Sequence, residues 1–149
     1  MKIYIDADGS PVVDITVAVA KEYGIENIIV KNYAHQIQSD YAKIITVDVS
    51  NDSADFYIVN NIGKDDIVVT QDYGLAALCL SKNALPINQD GLIFTEDNID
   101  GMLNRRFFHA KLRNQGKRHS NAKKRKLIED EQFELQLRKL IEKTIANNM

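Results

Sequence analysis

The sequence predicts a single α/β domain over residues 1–149, with three α/β/α layers and a mainly parallel central sheet. Short apolar segments rich in Ile and Val alternate with helical patterns, and several of these segments are continuous apolar runs. Continuous apolar strands are typical of a parallel sheet that is covered by helices on both faces. With 149 residues, of which 44% are hydrophobic and 27% charged, the chain is long enough to bury one core.

The first strand is predicted at Ile3–Ile5. Ser10 then has the character of a helix N-cap and Pro11 that of a first helical residue. Apolar residues with helical spacing follow, and Gly24 is placed to end this helix in the left-handed conformation. The first β–α unit therefore spans roughly the first 24 residues.

The remaining elements continue the alternation. Strands are predicted at Asn27–Val30, Ile44–Val47, Ile67–Thr70 and Leu85–Ile87, with a short extended piece at Leu92–Phe94. Helices are predicted from about Ser53 to Asn61 with Asp52 or Ser53 as cap, over Tyr73–Lys82, from near Thr95, and as a closing amphipathic helix over Leu127–Ile145.

Four aspartates are expected at one edge of the predicted sheet. Asp6 and Asp8 follow the first strand, Asp72 follows the fourth, and Asp55 lies in the first turn of the helix after the third. Right-handed crossovers place the carboxyl ends of parallel strands along one edge, where ligands bind in such sheets. Crowded carboxylates repel one another, and a hard cation such as Mg²⁺ or Mn²⁺ relieves that repulsion. Ser10 and Thr70 lie beside these acids as supporting hydroxyl groups.

Each acid also has an ordinary structural explanation. Asp55 complements a helix dipole, Asp72 is placed to cap the following helix, and either member of the first pair is able to hold a loop. Asp65 and Asp66 precede the fourth strand, so they are expected at the opposite edge as solvated turn residues. Three further aspartates are weaker candidates that the sequence does not place: Asp40, Asp48 and Asp90.

Residues 105–126 form a basic segment in an otherwise acidic chain. They carry ten Lys or Arg and no acid, whereas residues 1–104 carry 6 basic and 16 acidic residues. This asymmetry favours a polyanionic partner, and a phosphate backbone is the expected one. The candidate phosphate-binding residues are Arg105, Arg106, Lys111, Arg113, Lys117, Arg118, Lys123, Lys124, Arg125 and Lys126. Phe107, Phe108, His109 and His119 are candidates for stacking on single-stranded bases.

The basic segment has a structural alternative as well. It is equally consistent with a solvated helix face and tail, with Phe107 and Phe108 partly in the core. The polar part from Gln115 to Lys126 is expected to be flexible by itself. The isolated His35 is assigned no chemical role.

The stretches "DADGSPV", "ADFYIV" and "DDIVVTQDYGLA", together with the basic segment, resemble the YaiI/YqxD family of small bacterial proteins. The resemblance extends from Met1 to about the closing helix. That family is grouped with PIN-like domains, which are α/β metal-dependent nucleases. The resemblance therefore implies that Asp6, Asp8, Asp55 and Asp72 match the acidic positions of a PIN-like site. The family usually has Ala-Cys at Gly9-Ser10, so any role of that thiol is absent from this chain.

The preferred function is metal-dependent hydrolysis of phosphodiesters, with RNA as the expected substrate. The four aspartates would hold Mg²⁺ or Mn²⁺, and water would be the attacking nucleophile. The first alternative is a non-catalytic RNA-binding protein. The second is a phosphatase of the haloacid-dehalogenase type, with Asp6 as nucleophile and Asp8 as acid/base. That chemistry needs a suitably placed lysine and a further acidic pair after a later strand. The Asp65–Asp66 pair precedes its strand, which leaves Asp72 alone as a partial substitute.

The sequence contains no membrane-length apolar segment and no signal-peptide pattern, so a cytoplasmic location is expected. Its one cysteine, Cys79, lies in an apolar helical pattern and is expected to be a small buried residue.

Overall fold

The computed structural model describes residues 1–33, 36–50, 53–104 and 125–149. The strands are β1 Lys2–Asp6, β2 Glu26–Asn32, β3 Lys43–Val47, β4 Ile67–Val69 and β5 Leu85–Ile87. The helices are α1 Val13–Tyr23, α2 Ser53–Asn61, α3 Tyr73–Ser81, α4 at residues 96–104, and α5 Leu127–Asn147. Every strand predicted from the sequence is present, and its bounds differ from the prediction by at most two residues.

The strands form one parallel sheet in the order β3-β2-β1-β4-β5. The chain builds outward from β1 on one side through β2 and β3, and then returns to the other side for β4 and β5. The order therefore reverses between β1 and β4. In open α/β sheets the ligand crevice lies at such a switch point, outside the carboxyl ends of the strands.

Helices cover both faces of this sheet, which confirms the three-layer prediction. One core contains Ile3, Ile5 and Ile29 of the sheet together with residues of α1 and α5. The other core contains Tyr4 and Val30 of the same strands with residues of α2 and α3. Because successive strand residues face opposite sides, strands that are buried on both faces must be apolar at every position.

Helix α1 begins later than the sequence predicts. Gly9 has a φ of +73° and the Ser10 N–H donates to the Ala7 carbonyl, so the chain is still turning at these residues. The N-cap position is Val12, not Ser10, and the Ser10 hydroxyl instead accepts the Val12 N–H at 3.4 Å. At the other end, Gly24 has a φ of +67° and its N–H bonds the last turn, as predicted.

Asp66 is buried rather than solvated, so the sequence prediction for this residue was wrong in that respect. Its carboxylate accepts the backbone N–H of Lys2 at 2.9 Å and that of Gly63 at 2.8 Å. Both N–H groups lie where the chain enters a strand or leaves a helix, and the carboxylate gives each of them an acceptor. Its place at the amino-terminal edge of the sheet is as expected.

The last part of the chain follows its predicted elements. Thr95 and Asn98 cap each other's backbone at the start of α4, with bonds of 2.9 and 3.2 Å. The piece expected to be extended near Leu92–Phe94 contributes one isolated antiparallel bridge, between Ile93 and Ile87.

Cys79 is fully buried, as predicted. Among the described residues, no helix is both long and apolar enough to cross a membrane.

Candidate functional site

A cleft of about 450 Å³ lies outside the carboxyl ends of the strands. Its lining combines five carboxylates with polar and small side chains: Asp6, Asp8, Asn32, Asp48, Val49, Ser50, Ala54, Asp55, Gln71 and Asp72. The four aspartates that the sequence singled out all contribute to this lining, although they are separated by up to 66 positions. We refer to this feature as the acidic cleft.

Asp6 ends β1 at the switch point of the sheet. Burial is the main cause that raises the pKa of this carboxyl to about 6. A hydrogen bond from the Thr70 hydroxyl to Asp6 Oδ2, at 2.8 Å, acts in the opposite direction, while the nearby charges of Asp72 and Asp8 raise the pKa further. A carboxyl in this environment is costly to ionise, and a bound cation would reverse that cost.

Asp72 follows β4 and is the N-cap of α3. Its Oδ1 accepts the N–H groups of Gly74 and Leu75 at 2.8 and 3.2 Å. Asp72 therefore caps α3, as its structural interpretation predicts. Its own N–H donates to the Thr70 hydroxyl at 3.0 Å. Since that hydroxyl donates to Asp6, Thr70 joins the ends of β1 and β4 across the switch point, which confirms that it lies beside the acids.

Asp8 lies two residues past the end of β1 and contacts the end of β2. Its Oδ1 accepts the backbone N–H of Asn32 at 3.3 Å, and its Oδ2 accepts the Asn32 side-chain amide at 3.2 Å. Both oxygens of this carboxylate are therefore held by one residue. This orientation positions Asp8 on the wall of the cleft.

Asp55 and Asp48 complete the acidic lining from the other side. Asp55 lies in the first turn of α2, where it also complements the helix dipole, so both of its sequence interpretations remain compatible with its position. Asp48 directly follows β3. The sequence named it only as an unplaced candidate, because the third strand has to be aligned beside the second before its end can be located.

Five lining residues were not predicted from the sequence, and two of them have side-chain amides. Asn32 ends β2, and Gln71 lies between Thr70 and Asp72, with its Nε2 bonded to the Gly9 carbonyl at 2.9 Å. The available signal was a polar residue at or just beyond the carboxyl end of an apolar strand. Ser10, which was predicted to support the acids, lines a neighbouring depression beside α1 instead.

Most of the basic segment lies outside the described residues. The residues concerned are Arg105, Arg106, Lys111, Arg113, Lys117, Arg118, Lys123 and Lys124, with the stacking candidates Phe107, Phe108, His109 and His119. His35 and Asp52 also lie outside them. Arg125 is described, and it contacts acids of its own chain: it pairs with Asp130 and, at 3.1 Å, with Asp90.

These bonds assign Arg125 a structural contribution at the start of α5. Its guanidinium also donates to the Gln89 carbonyl, which ties the loop after β5 to the closing helix. A phosphate contact by Arg125 would have to compete with these carboxylates, whereas the sequence treated it as one of ten equivalent cations.

The donor chemistry of the acidic cleft fits a hard divalent cation. Its side chains offer carboxylate, amide and hydroxyl oxygens, which Mg²⁺ and Mn²⁺ prefer, and it contains the desolvated Asp6. Within the described part of the chain, however, no three His, Cys, Asp or Glu side chains are placed to hold a metal ion together. Mg²⁺ is commonly held by one or two carboxylates with waters and substrate phosphate, and this is the mode that the cleft fits.

Asp65 and Asp66 cannot supply the second acidic pair of a haloacid-dehalogenase-type site. Asp66 bonds Lys2, the first residue of β1, and so lies at the edge of the sheet opposite Asp6. Of the acids weighed for that role, Asp72 alone lies in the cleft with Asp6 and Asp8.

Comparison with known proteins shows that the chain belongs to the family described as "Uncharacterized BCR, YaiI/YqxD family", whose model matches residues 4–143. It is 47% identical to a "UPF0178 protein" of Natranaerobius thermophilus over 141 residues, which are 95% of this chain and 96% of the relative. A "UPF0178 protein" of Exiguobacterium sibiricum is 46% identical, with 97% and 99% of the two chains covered. No solved structure matches the chain significantly.

Proposed function

We propose that this member of the YaiI/YqxD family is a PIN-like, metal-dependent nuclease that hydrolyses phosphodiesters, with RNA as its substrate. One observation carries the proposal. Aspartates that are remote in sequence converge on one cleft at the switch point of a parallel sheet, and one of them, Asp6, is buried enough to raise its pKa to about 6. Perturbed carboxyls in a cleft are characteristic of functional sites.

In this proposal, Mg²⁺ or Mn²⁺ binds in the cleft formed by Asp6, Asp8, Asp55 and Asp72, with one or two of these carboxylates in direct contact with an ion and water and substrate phosphate as its other ligands. The bound metal supplies activation of water, orientation of the phosphodiester and stabilisation of the charge on the leaving oxygen. The chain supplies the geometry: Thr70 fixes Asp6 relative to Asp72, and Asn32 fixes Asp8. The described residues that line the cleft include no Lys, Arg or His, and the basic segment is the proposed source of the cations that neutralise the phosphate backbone.

Calorimetric titration with Mn²⁺ tests the metal site without a guess about the substrate. Wild-type protein is expected to bind saturably, and the Asp6→Asn/Asp72→Asn double variant is expected to lose that binding. The matched control is Asp65→Asn/Asp97→Asn, which removes the same charge from residues that line a separate groove. Binding that survives in the first variant, or disappears in both, would contradict a shared site at the cleft.

A cleavage assay tests the activity itself. Single-stranded RNA, duplex RNA and single-stranded DNA are incubated with Mn²⁺ and wild-type protein, and cutting of RNA is expected to vanish on Asp8→Asn and on chelation. The Asp65→Asn variant should cut normally. If none of the substrates is cut although Mn²⁺ binds, the nuclease proposal fails.

A non-catalytic RNA-binding protein is the second candidate. It is favoured by the observation that the described residues bring no three potential metal ligands together. In this case the protein should bind RNA with strong salt dependence, without cutting it, and Asp8→Asn should leave the affinity unchanged. Filter binding at several salt concentrations, performed beside the cleavage assay, separates the two candidates.

A further inference from the structure

Asn32 contacts a predicted catalytic carboxylate from two directions. Its backbone N–H donates to Asp8 Oδ1 at 3.3 Å and its side-chain amide donates to Asp8 Oδ2 at 3.2 Å. It also lines the acidic cleft, as the last residue of β2. Neither the composition of the chain nor the family comparison assigns it a role.

The register of the sheet explains this contact. In the β1–β2 pair, Asp6 is opposite Val30, and the Ala7 N–H still donates to the Val30 carbonyl at 3.0 Å. The same offset of 24 residues places Asp8 level with Asn32, but by then the chain has left the sheet and entered the turn at Gly9. The backbone N–H of Asn32 lies beyond the last paired residues of β1 and β2, and the carboxylate of Asp8 accepts its hydrogen bond.

Asn32 also lies beside the next acid. Its partner on β3 is Val47, which directly precedes Asp48. An amide donor at this point orients a carboxylate but leaves its charge intact. A lysine would neutralise that charge, and an aspartate would repel both neighbouring acids, so the asparagine suits a site that collects negative charge for a cation.

We propose that Asn32 is a positioning residue that holds Asp8 in the orientation needed for the metal. This inference rests on the proposed function, because it assigns Asn32 its purpose through the metal bound at the acidic cleft. Groups that orient metal ligands typically contribute 10- to 100-fold to metal affinity. Thr70 holds Asp6 in a comparable way from the other side of β1.

The test compares Mn²⁺ affinity in wild type, Asn32→Ala and Asn32→Asp. Asn32→Ala is expected to weaken binding by about 10- to 100-fold while the protein stays folded, since its backbone N–H remains. Asn32→Asp keeps the size of the side chain but replaces the donor by a carboxylate, and it should not restore the wild-type affinity. The matched control is Gln71→Ala. It removes a side-chain amide from the same cleft, but this amide donates to a backbone carbonyl rather than to a carboxylate.

A second readout does not depend on the metal. The backbone N–H of Asn32 should exchange its hydrogen faster in Asp8→Ala than in wild type, because its carboxylate acceptor is removed. Asp55→Ala should leave this exchange rate unchanged. A merely structural role for Asn32 predicts a lower melting temperature with unchanged Mn²⁺ affinity.

The possible outcomes are distinguishable. If wild type binds Mn²⁺ and Asn32→Ala binds it equally well, or if the exchange at Asn32 ignores Asp8, the positioning role is overturned and the proposed function is not. If folded wild type binds no Mn²⁺, even with added RNA, the proposed function fails and this inference fails with it.

Discussion

The two edges of the sheet each contain an aspartate that is largely withdrawn from water, and the surroundings of the two carboxylates differ. At the amino-terminal edge, Asp66 accepts two backbone N–H groups, one on each oxygen. At the carboxyl-terminal edge, Asp6 has the Thr70 hydroxyl as a donor and two further aspartates, Asp8 and Asp72, as electrostatic neighbours. The first carboxylate stabilises the fold, whereas the second is held at a cost to it.

The partners of each carboxylate distinguish structural from functional acids in this molecule. A carboxylate that satisfies backbone groups needs no ligand, because the chain itself completes its environment. A desolvated carboxyl among like charges gains most from an added cation. Asp66 is the more buried of the two residues, yet it is the partners of Asp6 that mark a functional acid.

The largest effect is expected at the amino-terminal edge. Asp66→Ala leaves the N–H groups of Lys2 and Gly63 without their acceptor, and we expect the free energy of unfolding to fall by about 3 to 4 kcal/mol. Urea denaturation measures the change. Asp65→Asn is the control, because it removes the neighbouring charge from a carboxylate whose partner among the described residues is the exposed side-chain amide of Asn148. Similar losses in both variants would contradict the structural role of Asp66.

The second prediction concerns Asp6 at the carboxyl-terminal edge, where removal of the carboxylate is expected to stabilise the protein. The folded pKa of Asp6, about 6, lies above the ordinary value of 3.8, so the folded state binds this proton more tightly than the unfolded chain. Without metal, the contribution of Asp6 to the free energy of unfolding should therefore fall as the pH rises from about 4 to about 6 and then level off. Asp6→Asn removes this loss, and we expect it to stabilise the protein by about 2 to 3 kcal/mol at pH 8 and by little at pH 4.

Thermal or urea unfolding at several pH values checks this prediction, with Asp65→Asn as the control for general charge effects. If Asp6→Asn destabilised the protein at pH 8, the carboxylate would be a net structural contributor, like Asp66, and the contrast between the two edges would be lost.

The smallest effect concerns the link across the switch point. Thr70→Val keeps the shape of a side chain that is 1% exposed, but removes the donor to Asp6 and the acceptor of the Asp72 N–H. We expect a destabilisation of about 1 to 2 kcal/mol and a further rise in the pKa of Asp6, because this hydrogen bond lowers it. Carboxyl ¹³C NMR titration measures the pKa. Thr70→Ser, which retains the hydroxyl, should behave like wild type, and an unshifted pKa in Thr70→Val would show that the bond is unimportant.

Much of this picture was accessible from the sequence. The order and type of the elements followed from the alternation of continuous apolar runs with helical patterns. The grouping of Asp6, Asp8, Asp55 and Asp72 around one cleft followed from the rule that parallel strands end at a common edge. The start of α1 was misplaced because the turn at Gly9 extends farther than the Ser-Pro signal indicates.

The residues at the ends of strands could be identified from local periodicity and from the direction of the chain. The contacts that each strand end makes became visible only in the folded protein. Asp66 meets the start of β1, Asn32 meets Asp8 across a strand pair, and Arg125 meets acids of its own chain instead of remaining one of ten similar cations. The physical reason is that these partners are set by sheet register and helix packing between segments distant in sequence, whereas local patterns report only on neighbours along the chain.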